Sequence, residues 1–170
     1  MTSGHGGWHA ISAAQAYGVQ TLFTLSGAHI FPLFDAAVGG KDAVTAAGDP
    51  RTAERTGPLR LVDVRHEATA VFAAEATAKL TRTPGFAAVT AGPGVTNAVS
   101  GLTSAWFNAV PVVVMGGRSP DFRWGSGALQ EMDHVPVVAP VTKYAATAHD
   151  ATQIGAMTAA AFEAATSAHR

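Results

Sequence analysis

The chain has 170 residues and a formal net charge of −1 from 11 basic and 12 acidic side chains; with no run of Lys or Arg, a nucleic-acid surface is not expected. At 48% hydrophobic and 14% charged residues, it reads as one folded domain rather than a disordered segment. Cysteine is absent, which excludes a disulfide framework, a zinc ribbon and thiol catalysis. The longest apolar runs, such as Val110 to Met115, are far too short to cross a bilayer, and no basic stretch leads into an apolar one as in an export signal. A cytoplasmic protein with neither nucleic-acid nor membrane partners is the expectation.

Met1 to Gly7 reads as a flexible tail, and residues 8–170 as the domain. Trp8 to Tyr17 is expected as a helix stopped by Gly18, followed by a strand over Val19 to Leu25 that ends at Ser26-Gly27. His29 to Val38 again reads as helical, with Ile30, Leu33, Phe34 and Ala37 on one face. Gly39 to Pro58 carries turn formers at both ends and in its middle, and reads as an exposed loop. A strand over Leu59 to Val64, a helix over His66 to Leu80 and a strand over Phe86 to Thr90 follow. After the tight Gly92-Pro93-Gly94 turn come a helix over Val95 to Asn108 and an apolar strand over Val110 to Met115. Arg118 to Pro140 is irregular, with a short helix expected near Gly127 to Asp133; Val141 to Thr147 is expected as a fifth strand. Asp150 is the N-cap of a last helix, Ala151 to Ser167. Short β-branched strands alternating with helices predict an α/β fold, a three-layer α/β/α sandwich around a mostly parallel sheet.

In such a sheet, ligands sit beyond the carboxyl ends of the strands. That directs attention to Ser26 to His29, to Arg65-His66-Glu67, to Ala91 to Asn97, and to the residues after Gly116. Glu67 opens a helix, where a carboxylate is favoured by the dipole alone; it also stands where a catalytic acid would. Gly92-Pro93-Gly94-Val95-Thr96-Asn97 is not the dinucleotide fingerprint, because Asn97 replaces the third glycine and Pro93 removes an amide. Nor is Glu67 part of a zinc-protease motif, since Ala70 stands where the second histidine would be. Gln130 to His134 is a polar segment whose simplest reading is a solvated loop, and His29 and His134 read as surface or edge residues. None of the seven histidines forms a pair at metal-ligand spacing, so no metal ligands are assigned.

Taken in order, several segments resemble the N-terminal pyrimidine-binding domain of thiamine diphosphate enzymes, and most of all the acetolactate synthase (acetohydroxyacid synthase) large-subunit family. They are Gly18-Val19 with Thr21-Leu22-Phe23, Leu25-Ser26-Gly27-Ala28, Arg65-His66-Glu67, Thr90 to Asn97, Pro111 to Val114, Leu129-Gln130-Glu131 with Asp133, and Pro140 to Lys143. The resemblance implies that Glu67 hydrogen-bonds the aminopyrimidine N1′ of thiamine diphosphate and favours the tautomer that activates the thiazolium carbon, the cofactor then carrying the carbon chemistry. It implies that Gly92, Pro93, Gly94 and Asn97 pack beside the pyrimidine and a dimer contact. Gly27, Ala28 and Gln130 would line the substrate cleft, with Ser26-Gly27-Ala28 replacing the Pro-Gly-Gly of common synthases.

The implied reaction is decarboxylation of pyruvate and carboligation to a second 2-keto acid, in branched-chain amino-acid biosynthesis of valine and isoleucine. The implied assembly is a homodimer or tetramer. Mg2+ and the diphosphate would be held by a C-terminal domain with a Gly-Asp-Gly motif, and FAD by a middle domain, both absent from this sequence; Arg170 falls near a family arginine that touches FAD. The family sheet has strand order 2-1-3-4-6-5, so the chain is expected as a fragment truncated before its sixth strand and inactive alone. A related 2-keto acid decarboxylase or acyl-CoA lyase, and a non-catalytic binding or assembly domain, are the alternatives.

Overall fold

The computed structural model describes residues 5–39 and 58–168. The Gly39 to Pro58 loop, apart from its two ends, and the reading of Arg170 fall outside the described residues. The elements in chain order are α1 (Gly6–Ala16), β1 (Thr21–Thr24), α2 (Phe31–Val38), β2 (Arg60–Asp63), α3 (Glu67–Thr81), β3 (Gly85–Val89), α4 (Pro93–Phe107), β4 (Val112–Gly116), α5 (Val135–Val138) and α6 (Ala151–Thr166). The strands form one parallel sheet in the order β2-β1-β3-β4, with Val62 beside Phe23, Phe23 beside Ala87, and Phe86 beside Val113.

Both faces of this sheet are covered. Strand β3 is buried along its whole length, and its side chains alternate between two cores. Phe86 and Ala88 join Leu22, Ala10, Ala14, Leu33 and Phe162 under α1, α2 and α6. Ala87 and Val89 join Val71, Ala74, Val95 and Ala98 under α3 and α4. The result is the expected three-layer α/β/α sandwich. It explains why the β3 run GFAAV shows no polar alternation: a strand covered on both sides has no wet face.

Three sequence expectations are corrected. Helix α1 begins at Gly6, so Gly6 and Gly7 belong to the fold rather than to a flexible tail. A Cβ on Gly7 would stand 2.0 Å from the Pro32 carbonyl oxygen, so the missing side chain is what lets α1 close on α2. No helix forms over Gly127 to Asp133. Gly125 and Gly127 hold positive φ values of 83° and 71°, and the Glu131 carboxylate accepts from the backbone N–H groups of Gly125 and Ala128 at 2.9 and 3.2 Å, a local bond set that competes with a helical ladder. Val141 to Thr147 is not a strand: Val141 closes a 3₁₀ turn and the residues after it join no strand ladder among the described residues. A strand exists through its ladder, and the outer side of β4 instead borders a cavity of about 860 Å³ lined by β4, α6 and this segment.

Helix α6 is bolted to the sheet. Asp150 caps it as expected, accepting from Thr152 N at 2.7 Å, while Gln153 Oε1 accepts from Asp150 N at 3.2 Å, a reciprocal capping box. Phe162 stacks on Tyr17 at 5.2 Å and tilts against Phe86 at 5.6 Å, and Tyr17 donates its hydroxyl to the Ala159 carbonyl. Because Phe162 is fully buried and joins α1, α6 and β3, Phe162→Ala is expected to cost about 3–5 kcal/mol, read as a lowered midpoint in urea unfolding with an unchanged slope.

A candidate cofactor site at the carboxyl edge of the sheet

The carboxyl ends of β1, β2 and β3 open onto three short turns, and each turn brings a polar group to one place. After β2, His66 caps α3 with its Nδ1 accepting from Ala68 N at 3.2 Å. That sets Glu67 as the first helical residue, at 8% exposure. An acid here is favoured by the helix dipole, yet a carboxylate this sheltered also requires hydrogen bonds. Asn97 provides one: its Nδ2 donates to Glu67 Oε2 at 3.0 Å. Asn97 is one turn into α4, so the residue that breaks the dinucleotide fingerprint is the one that orients the acid. Glu67 Oε1 makes no such bond among the described residues and is not sealed from solvent.

After β3, the chain reverses at Gly92, whose φ of 57° and ψ of −115° lie outside the regions open to residues with a Cβ. A Cβ at Gly92 would also press on Gln130, 3.0 Å from its Cβ and 3.1 Å from its carbonyl oxygen. The turn leaves Gly92 N–H outside the α4 ladder. It is taken by His134 Nε2 at 2.8 Å. Since Nε2 accepts in that bond, His134 is neutral there, with its proton on Nδ1. Burial lowers the His134 pKa first; the Asp133 charge pulls it up; Arg118 and His29 lower it again, and the net value lies below the ordinary 6.5.

Thr90 stands at the centre. Its side chain would collide with a Cβ on Gly27 (2.4 Å) and with one on Gly94 (2.8 Å), and the Gly94 position in turn lies 3.7 Å from Glu67 Oε1. Its hydroxyl lies 3.3 Å from Gln130 Oε1 and 3.2 Å from His29 Nδ1. Gln130 is held at a positive φ of 56°, in a loop tied down by the buried Ser119, which donates to the Leu129 carbonyl at 2.9 Å.

Of the residues singled out from sequence, Glu67, Gly92, Gly94, Asn97, Gly27 and Gln130 thus converge around Thr90. Ala28 and Pro93 stand exposed at the rim. His29 and His134, read from sequence as plain surface or edge residues, are both part of the constellation. No spacing signal links them to it, because their partners are 61 and 42 residues away in the chain.

A second buried acid, Glu75, lies outside this site. Burial raises its pKa, but hydrogen bonds from Lys79, Ser104 and Asn108 outweigh that and hold it below the usual carboxylate value. It ties α3 to α4 rather than facing the sheet edge. Its only sequence signal is the Glu75/Lys79 pair at i, i+4. Among the described residues, no cluster of three or more His, Asp and Glu could hold a metal ion, and no helix is long and apolar enough to cross a membrane.

Comparison with known proteins places this geometry in context. The family model described as "Thiamine pyrophosphate enzyme, N-terminal TPP binding domain" matches residues 5–137. The chain is 46% identical over 164 residues to the acetolactate synthase large subunit IlvG of Mycobacterium tuberculosis, covering 96% of this chain and 27% of that protein. The same figures hold for the probable acetolactate synthase of Mycobacterium bovis. It is 42% identical over 143 residues to 2-hydroxyacyl-CoA lyase 2 of Bos taurus, covering 84% of this chain and 20% of that protein. The chain therefore spans about a quarter or less of the length of these relatives.

The bond from Gly92 N–H to His134 has a pH signature. Because the folded His134 pKa lies below the unfolded one, its contribution is complete above pH 6.5 and is lost as pH falls through the folded value. Amide exchange at Gly92, corrected for intrinsic rate, should lose protection over that acid window. His134→Gln, which keeps an acceptor but cannot titrate, should flatten the dependence; an unchanged pH profile in that variant would contradict the assignment.

Proposed function

This chain belongs to the thiamine pyrophosphate enzyme family through its N-terminal TPP binding domain, and on that footing we propose that it is the pyrimidine-activating part of an acetolactate synthase-like carboligase. The observation that carries the reading is Glu67: a sheltered carboxyl at the start of α3, with Oε2 tied to Asn97 and Oε1 left open beside the side-chain-free Gly94. The missing Cβ groups of Gly94 and Gly92 let Thr90 and Gln130 close up against this edge, beside Glu67 Oε1. The donor set fits thiamine diphosphate: Glu67 would hold the aminopyrimidine, Gly92 and Gly94 would flank it, and Asn97 would keep the carboxyl turned towards it.

When bound, thiamine diphosphate supplies a nucleophilic thiazolium carbon and an electron sink for 2-keto acid chemistry. Glu67 would hold the pyrimidine ring nitrogen through Oε1 by a shared proton, and in that way would bias the ring towards one tautomer. Asn97 prevents the carboxyl from swinging away, which would cost the bond its alignment. Gln130 faces the cleft as the substrate-side polar group, with Gly27 and Ala28 bounding it. In this reading Mg2+, the diphosphate and FAD are held by other parts of the full-length protein, and the acting unit is a homodimer or tetramer. The substrates are pyruvate and a second 2-keto acid, in branched-chain amino-acid biosynthesis.

A second reading has its own support. The similarity to 2-hydroxyacyl-CoA lyase 2 supports an acyl-CoA lyase on the same cofactor site. Product analysis separates the two: acetolactate from pyruvate supports the synthase, and an aldehyde released from a 2-hydroxyacyl thioester supports the lyase.

Glu67→Gln in the full-length protein is expected to slow deuterium exchange at the thiazolium carbon by at least about 100-fold, the usual scale for one acid–base group. Exchange within twofold of the parent would overturn the role given to Glu67.

A further inference from the structure

His29, Thr90 and Gln130 form a hydrogen-bonded series whose direction can be deduced. Gln130 Oε1 is a carbonyl oxygen and only accepts, so in the 3.3 Å contact the Thr90 hydroxyl donates. A hydroxyl has one proton. In the 3.2 Å contact with His29 Nδ1, Thr90 Oγ1 must therefore accept, and His29 Nδ1 carries a proton. The series runs one way: His29 Nδ1–H to Thr90, Thr90 O–H to Gln130 Oε1.

Two consequences follow. First, the reverse orientation of the Gln130 carboxamide would need Thr90 to accept from the amide and to donate to His29 Nδ1, so a proton on His29 Nδ1 is what excludes it. Its NH₂ group is turned away from Thr90, makes no hydrogen bond among the described residues, and is not sealed from solvent. Second, His29 Nε2 is left in the same state: no partner among the described residues and open to solvent. The backbone supports this arrangement. Gln130 is held in the left-handed region at φ 56°, a conformation that is strained for a residue with a side chain, and Gly92 and Gly117 lack the Cβ that would press on Gln130 and His29.

We propose that His29 and Thr90 are positioning residues that fix the polarity of Gln130, so that this edge of the site presents amide N–H donors to an oxygen of the substrate, the carboxylate or carbonyl of a 2-oxo acid. The proposal rests on the cofactor reading above and names the substrate contact within the same site. The role of His29 runs through its Nδ1–H, not through proton exchange at Nε2, and that distinction is testable with side chains that copy one nitrogen or the other.

The test uses the full-length protein with oxamate, an unreactive isostere of pyruvate, and steady-state kinetics with pyruvate. Thr90→Val removes the hydroxyl at nearly constant shape. It is expected to weaken oxamate binding about tenfold, the scale of one polar contact, and to raise KM for pyruvate by more than it lowers kcat. Thr90→Ser should restore both. His29→Leu should behave like Thr90→Val. His29→Asn, which places an N–H where Nδ1–H stood, should recover most of the loss, while His29→Gln, which copies Nε2, should not.

Oxamate affinity unchanged in Thr90→Val, or recovery by His29→Gln in place of His29→Asn, would overturn the proposal. Those outcomes are separable from failure of the cofactor reading, because C2 exchange in the Glu67→Gln variant reports on that alone. A loss of folding in Thr90→Val would show as a lowered unfolding midpoint, and the His29→Asn and His29→Gln pair then decides the matter.

Discussion

The site depends on one backbone reversal. Between the end of β3 and the start of α4, Gly92 takes a conformation that other residues cannot hold, and the cost of that turn is offset by the His134 ring receiving the stranded N–H. The reversal aims α4 so that Asn97 reaches Glu67 on α3. It also lets the loop carrying Gln130 lie against the turn, with no side chain between. Acid, amide and hydroxyl come from separate stretches of chain, and each is in place because this corner is tight.

The parallel sheet explains why these groups share a side. Parallel strands end on one edge, so the turns after β1, β2 and β3 meet there whatever their sequence separation. The layers beneath are apolar on both faces and close-packed, which allows the edge to carry a sheltered carboxylate and a left-handed glutamine. Strain and a buried acid at one corner are tolerable when the rest of the domain is conventional. Glu75 marks the contrast: its carboxylate is saturated by Lys79, Ser104 and Asn108, whereas Glu67 keeps one oxygen available. Two buried acids on the same helix differ in what surrounds them.

Proteins described as an acetolactate synthase and as a 2-hydroxyacyl-CoA lyase both align with this domain. These relatives share this domain under two different descriptions, and the chain covers 27% of the one and 20% of the other.

The amino-acid sequence alone determined the class of fold, because short β-branched runs alternating with helices leave few other ways to bury both faces. It also determined Glu67 as the acid to examine, through its place after a strand and at a helix start, and the Asp150 cap, since caps are local. Where expectation and structure part, the information is not local. Val141 to Thr147 has strand-like residues but no ladder partner among the described residues, and Gly6 and Gly7 look like tail residues until α6 and α2 are seen against them. Only the tertiary structure decided that Thr90 stands between His29 and Gln130, and that His134 holds the Gly92 turn. Hydrogen bonds across 61, 40 and 42 residues leave no period or spacing in the chain; they exist because the ends of parallel strands are brought to one edge.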